Sequence, residues 1–173
     1  MKEPYCMVNI ETELEISLQF LDEIGIPVYT SDTPVEGFLA GLAIIDGAIH
    51  IYYPDFLYPG DILHEAGHIA VVPASERHSL NQANIAARVF REGEELAAIA
   101  WSYAACRYLG VDARFVFHDD GYQGGGSSLA DNFDNGYYFG VPLLQWMGMT
   151  FEKKQAAEKN TEPYPVMRRW LRE

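Results

Sequence analysis

The residues of this chain best suited to chemistry are two histidines and a glutamate in the pentapeptide His-Glu-x-x-His. They are His64, Glu65 and His68. On an α-helix, residues four apart lie on one face, so both imidazoles can reach one metal ion. Two neutral imidazoles suit Zn²⁺, and Glu65 can take a proton from a water molecule as a general base. The spacing therefore predicts a zinc site with a general base beside it.

The residues around the motif predict the helix that it requires. Pro59-Gly60-Asp61 is a turn that ends at a residue typical of a helix N-cap, and a mostly apolar run follows until Pro73. A helix this apolar is expected to be buried, where histidine and glutamate are costly unless they are paired or bind a metal. The alternative is a buried helix whose histidines only hydrogen-bond to backbone.

A third protein ligand is expected from the next predicted helix, residues 91–106, which begins polar and becomes almost wholly apolar. Glu94 and Glu95 stand near its start and differ by about 100° around the axis, so only one can point at the metal. We favour Glu95, because it shares a face with small side chains that allow close helix packing, and Glu94 is the alternative. Without a metal, both would be ordinary acidic residues that complement the helix dipole.

The chain before the motif predicts a scaffold of one helix and a small sheet. Thr12 to Glu15 reads as a capping box that starts a helix, which Gly25 ends. Strands are predicted at 27–30, 38–45 and 48–53, with Asp46-Gly47 as a hairpin turn between the last two. An edge strand here could pair with an extended peptide, or the hairpin could only cover the helix.

The remaining histidines upstream of the third-ligand helix are not expected to bind the metal. His50 alternates with apolar neighbours in a predicted strand and should lie on the outer sheet face. His78 lies in a polar segment and is expected to be solvated. Val71 and Ala74 occupy the positions where a metzincin would have glycine and a third histidine, which excludes that class.

The motif and the downstream glutamate carry a family resemblance. His64-Glu65-Ala66-Gly67-His68, followed by Glu95 at the opening of an alanine-rich helix, resembles the gluzincin class of zinc peptidases. The resemblance is to its small single-domain members, the IrrE/ImmA-like minimal gluzincins, and covers roughly residues 40–110. It implies that both histidines and Glu95 bind zinc and that Glu65 is the general base. Family members commonly have Ala-Asn where Leu96-Ala97 stands, and no helix-turn-helix accompanies the motif, so a repressor-cleaving role is not implied.

A glycine-rich loop at 118–128 supplies the candidates for a further catalytic group. In gluzincins generally, a downstream histidine or tyrosine donates to the oxyanion, which points to His118 as a catalytic residue, with Tyr122 as the alternative. The loop lacks the lysine of a phosphate-binding loop, so nucleotide binding is rejected. It could be a substrate lid or only a connector, and His118-Asp119-Asp120 could instead bind a different ion.

The composition and charge of the chain limit the number of domains and the kinds of partner that can be expected. The 173 residues are 49% hydrophobic, which suits one domain spanning 1–173 with 150–173 as a C-terminal extension. The formal charge is -13, with six basic and 21 acidic residues in 1–149 but six basic and four acidic residues in 150–173. The acidic body argues against nucleic acid and anionic membranes as partners, and the basic tail could dock on that body or on a partner subunit.

An aromatic and methionine-rich run, 129–149, is typical of a protein core or of a homo-oligomer contact, with a wall of the substrate site as the alternative.

The two cysteines, Cys6 and Cys106, are far apart and are expected to be free thiols. The N-terminus lacks an apolar signal core and no apolar run approaches a membrane span, so a cytoplasmic location is expected.

These features predict an α+β fold, a minimal zincin-like domain with a small, mainly antiparallel sheet packed on the motif helix and the third-ligand helix. The predicted function is a zinc metallopeptidase, a hydrolase that acts on a peptide or protein substrate. Two alternative functions are also considered. The chain could be an inactive metal-binding or partner-binding scaffold, or a structural domain in which the motif is coincidental.

Overall fold

The computed structural model describes residues 7–173, with side chains from residue 11 onward, so Cys6 lies outside the described part. That part has an α+β architecture with three strands and eight α-helices. In chain order the elements are α1 (Met7–Ile24), β1 (Val28–Thr30), β2 (Leu42–Ile45), β3 (Ala48–Ile51), α2 (Asp61–Val71), α3 (Ala74–Arg77), α4 (Gln82–Ala87), α5 (Arg91–Leu109), α6 (Gly126–Asp134), α7 (Val141–Trp146) and α8 (Lys153–Glu158).

The first helix is longer than its capping signal predicts. α1 already runs from Met7, so Thr12 and Glu15 lie inside it and the predicted capping box is wrong. No proline or glycine stands between Met7 and Thr12, so nothing interrupts the helix where the cap was expected. Its end is as predicted, because Gly25 has a φ of 81°, a left-handed conformation typical of a residue that follows a helix.

The three strands form one sheet in the order β1-β3-β2. β2 and β3 pair antiparallel across Asp46 and Gly47, both with positive φ, which confirms the predicted hairpin. β1 joins the other side of β3 in parallel, with Val28 opposite Ile49. The expected mainly antiparallel sheet is therefore corrected to a mixed sheet with one pair of each kind. The hairpin leaves only one side of β3 open, and the connection 31–41 returns the chain so that β1 runs parallel to it.

The core is built around the contact between α2 and α5. α2 is buried along most of its length, as its apolar sequence predicts, and Leu63 and Ala66 are fully inaccessible. The two helices approach closely at Gly67, because a Cβ atom built there would lie 2.8 Å from the backbone oxygen of Ala98. This close packing brings the first turn of α5 beside the middle of α2, where the two histidines are.

The C-terminal segment packs back onto these two helices. The indole nitrogen of Trp101 in α5 donates to the carbonyl of Trp170 at 2.8 Å. The backbone N–H of Arg172 donates to the carbonyl of Ala70 at 2.9 Å, and its guanidinium donates to the carbonyl of Val71 at 3.2 Å. The tail therefore supplies donors to carbonyls at the C-terminal end of α2, groups that every helix leaves without an internal partner.

The aromatic run 129–149 divides between core and surface. Phe133, Leu144 and Met149 are fully buried, whereas Tyr137 and Trp146 are each 73% exposed. Among the described helices, none is both long enough and apolar enough to cross a membrane.

Candidate metal centre

Three side chains converge where α2 faces the start of α5. His64 and His68 lie one turn apart, with their Nε2 atoms 3.2 Å from each other. The Glu95 carboxylate closes the group, with one oxygen 3.5 Å from His64 Nε2 and the other 3.2 Å from His68 Nε2. When one oxygen is taken as the ligand, all three ligand atoms lie within 4.8 Å of one another.

These separations can be compared with those that zinc requires. Bonds of about 2.1 Å at tetrahedral angles place neighbouring ligand atoms about 3.4 Å apart. The contacts among His64, His68 and Glu95 span 3.2 to 3.5 Å when both carboxylate oxygens are counted, and up to 4.8 Å when each residue offers one ligand atom. Two imidazoles with one carboxylate are a donor set that zinc accepts, so the residues present could hold a zinc ion.

Glu94 has a different role from Glu95. Its two carboxylate oxygens accept from Nε and Nη2 of Arg88 at 2.6 and 2.9 Å, a bidentate pair in which Glu94 is buried. Arg88 also donates to Glu76 at 2.9 Å. The helix geometry thus separates the two candidates: Glu95 faces the histidines, and Glu94 ties the start of α5 to the segment before it.

The electrostatic environment favours a neutral imidazole at His64 and the charged forms of His68 and Glu95. Burial and the neighbouring His68 lower the pKa of His64 to about 4, although Glu95 acts in the opposite direction. For His68, burial opposes protonation, but a hydrogen bond with Glu95 and the charge of Glu65 outweigh it and raise the pKa. For Glu95, burial is outweighed by His68 and His64, and the pKa is lowered.

Glu65 lies beside the three converging side chains and is almost inaccessible. Burial is the main reason why its pKa is raised, against the opposing influence of His68. One of its oxygens accepts from the side-chain amide of Gln82 at 3.2 Å. The amide oxygen of Gln82 is buried and has no hydrogen-bond partner among the described residues. An acid-base group with a raised pKa, held from one side, therefore stands beside the predicted metal ligands.

No local pattern predicts this contact between Gln82 and Glu65. The residue before it, Asn81, caps α4 by accepting from the backbone N–H of Asn84 at 3.0 Å, and the Asn84 side chain accepts from Asn81 N–H at 2.9 Å. This capping box starts a short helix, and its first residue is Gln82. An asparagine just before a helix indicates an N-cap, but it does not indicate that the following Gln82 contacts Glu65.

The two predicted oxyanion donors have other contacts. The hydroxyl of Tyr122 lies 3.4 Å from Nδ1 of His64, the nitrogen that faces away from Glu95. Burial raises the pKa of Tyr122 far above its ordinary value, so the hydroxyl keeps its proton. This contact suits a group that orients His64 and leaves Nε2 free for a metal.

His118 is tied to the start of α2. Its Nδ1 accepts from the backbone N–H of Gly121 at 3.0 Å, so the proton is on Nε2, which lies 2.8 Å from Asp61 Oδ1. The ring stacks on Tyr58, with centroids 4.1 Å apart. With both nitrogens used, His118 has the contacts of a residue that fixes the loop against α2.

The loop 118–128 is held by its acidic residues. Asp120 accepts from the hydroxyl of Tyr58 at 2.8 Å, and Asp119 accepts from the backbone N–H of Ser127 at 2.9 Å. Within residues 11–173, the one group of three metal-ligating side chains is His64, His68 and Glu95. Asp119 and Asp120 therefore serve as hydrogen-bond acceptors that shape the loop.

The other histidines lie apart from this cluster. His50 is half-buried in β3, with its ring 5.3 Å from that of Tyr29 on the neighbouring strand. His78 is exposed just after α3. Both positions agree with the sequence-based view of them as sheet-face and solvated residues.

Comparison with known proteins adds no relative to this description. No family model matches the chain, and neither a curated protein nor a solved structure is significantly similar to it. The gluzincin resemblance therefore depends on the motif and on Glu95.

Proposed function

We propose that the protein is a zinc-dependent metallopeptidase. The observation that carries the proposal is the convergence of His64, His68 and Glu95, whose ligand atoms lie within 4.8 Å of one another, with the buried Glu65 next to them. Two imidazoles and one carboxylate leave a fourth tetrahedral position free, as catalytic zinc sites do and structural ones do not. A peptide or protein is the substrate class that this chemistry serves in the resembling family.

His64, His68 and Glu95 would hold the ion. A bound zinc ion would lower the pKa of a water molecule and polarise the carbonyl of a peptide bond. Glu65 takes the proton of the attacking water and passes it to the leaving amine. Burial raises the pKa of Glu65, which favours a carboxyl group that can donate a proton as well as accept one.

Two further side chains position these groups. Gln82 donates to one oxygen of Glu65 and so limits the directions in which that carboxylate can turn. Tyr122 contacts Nδ1 of His64 and so helps to hold the ring with Nε2 toward the other ligands.

A second candidate is a metal-binding scaffold without catalysis. It is favoured by one observation: both residues predicted to stabilise the oxyanion are engaged elsewhere, His118 with Asp61 and Tyr122 with the far side of His64. Removing such a donor from a hydrolase typically costs about 100-fold to 1000-fold in rate. The scaffold would bind zinc and hydrolyse no peptide.

The deciding experiment combines metal analysis with one substitution. The wild type should contain about one zinc per chain and should cleave members of a peptide library. Glu65→Gln should keep the metal and lose at least about 100-fold in hydrolysis, because it removes the general base alone. Glu158→Gln, which changes an exposed carboxylate on α8, is the matched control and should cleave normally. Zinc without any cleavage by the wild type would support the scaffold, and no zinc would exclude both candidates.

A further inference from the structure

A groove of about 670 Å³ opens beside the candidate metal centre. Its walls are the loop 35–41, the segment containing Pro54 and Leu57, and Gln82 at the start of α4. Gly41 in this wall has a φ of 70°, and a Cβ atom there would lie 2.4 Å from the backbone nitrogen of Phe56. The two walls are therefore packed directly against each other at the base of the groove.

The groove is continuous with the candidate centre at two residues. Gln82 lines the groove and also donates to Glu65. Phe38 lines the groove and also lines a second hollow of about 390 Å³, whose other walls include His68 and Glu95. A chain lying in the groove would therefore pass beside the general base and reach the predicted metal ligands.

The chemistry of the walls selects what can bind. Phe38 and Leu57 are 70% and 65% exposed, which is unusual for large apolar side chains that face the same depression. Glu36 and Asp55 are exposed carboxylates of the same walls. An apolar group would be sheltered here, and a neighbouring cation would be attracted, whereas an acidic group would be repelled.

We propose that this groove binds one side of the substrate, an extended peptide in which a bulky apolar residue adjoins a lysine or arginine. The inference rests on the proposed peptidase function and adds the class of substrate to it. The apolar side chain lies against Phe38 and Leu57, and the basic side chain reaches Glu36 or Asp55. The formal charge of -13 on the whole chain favours the approach of such a peptide.

Binding can be measured apart from hydrolysis by using full-length Glu65→Gln protein as purified with its metal. The probes are three fluorescein-labelled decapeptides of one alanine-serine background, with Phe-Lys, Phe-Glu or Ser-Lys at the centre. Fluorescence anisotropy at low salt gives the Kd of each. The Phe-Lys peptide should bind at least about tenfold more tightly than the other two, because only it satisfies both kinds of wall.

Substitutions in the groove then locate the binding. Glu36→Lys and Asp55→Lys should each weaken binding of the Phe-Lys peptide about threefold, as expected for exposed charge pairs. Phe38→Ala should weaken it about tenfold. The matched controls are Glu158→Lys, an equal charge change on α8, and Tyr137→Ala, an equally exposed aromatic residue outside the groove. Both controls should bind as the parent does.

The inference is overturned if the three peptides bind alike, if none binds, or if the control variants weaken binding as much as the groove variants. Loss of the peptidase proposal would look different. In that case the wild type would cleave no Phe-Lys peptide, or the Glu65→Gln variant would cleave it as fast as wild type, whatever the binding data show.

Discussion

The side-chain amide of Gln82 lies 3.2 Å from a carboxylate oxygen of Glu65, although the two residues belong to different helices. The amide nitrogen faces the carboxylate, and the amide oxygen is buried with no hydrogen-bond partner among residues 11–173. An unpaired buried acceptor costs about 1 to 3 kcal/mol. We infer that the hydrogen bond from Gln82, which orients the Glu65 carboxylate, offsets this cost.

The Gln82→Leu variant tests this relationship. It removes the donor to Glu65 and also removes the unpaired oxygen, so kcat should fall about tenfold while thermal stability stays unchanged or increases. The measurement is kcat and KM on a cleaved peptide together with Tm. Zinc content should not change, and a loss of zinc or a large drop in Tm would show that Gln82 only supports the fold.

The two neighbouring glutamates of α5 should respond differently to substitution. Glu95→Ala removes a predicted ligand and should weaken zinc binding at least about 100-fold with little loss of stability in the metal-free protein. Glu94→Ala leaves the Arg88 guanidinium without its bidentate partner and should cost about 3 kcal/mol of unfolding free energy. Chelator competition and denaturant titration measure the two effects, and zinc loss in the Glu94 variant at full stability would reverse the assignment.

Zinc affinity should depend on pH through His68. Its pKa is raised above 6.5, so the proton must leave before the imidazole can bind a metal, and affinity should fall as pH falls through that raised value. The decline should approach tenfold per pH unit. His64 has a pKa of about 4 and should add nothing until the solution is nearly that acidic. A chromophoric chelator competed against the protein from pH 5 to 8 gives the slope, and a flat profile would contradict the role of His68.

A glycine in the metal-bearing helix should be unusually intolerant of alanine. In an exposed helix interior, Gly→Ala stabilises by up to about 1 kcal/mol. At Gly67 the added methyl would lie 2.8 Å from the carbonyl oxygen of Ala98, so α2 and α5 must separate. Gly67→Ala should therefore destabilise the fold and weaken zinc binding.

Gly93 in α5 offers the matched control for that variant. A Cβ atom there would meet only Leu143, at an ordinary 3.6 Å, and Gly93→Ala should be stabilising. If the two alanine variants changed stability in the same direction, the close contact would not be what places Glu95 beside the histidines.

Local patterns predicted the elements that carry the candidate site. The turn and apolar run around residue 61 predicted α2, Asp46-Gly47 predicted the hairpin, and the polar-to-apolar change predicted α5. Each of these elements is decided by residues within one or two turns of each other.

Contacts between segments that lie far apart in the chain could not be predicted from the sequence. The parallel pairing of β1 with β3 depends on the path of the connection 31–41. The capping signal at Thr12 did not start a helix, because α1 already begins at Met7. The contact of Gln82 with Glu65 and that of Trp170 with Trp101 join elements with no common local pattern. Tertiary packing decides such contacts, and a single sequence does not display it.

The contact between Arg172 and the end of α2 has a consequence for the timing of synthesis. Carbonyls at positions 70 and 71 receive their hydrogen bonds from a residue about a hundred positions later. The last turn of the helix that carries both histidines therefore gains these two protein donors only after position 172 has been synthesised, and water must serve its carbonyls until then.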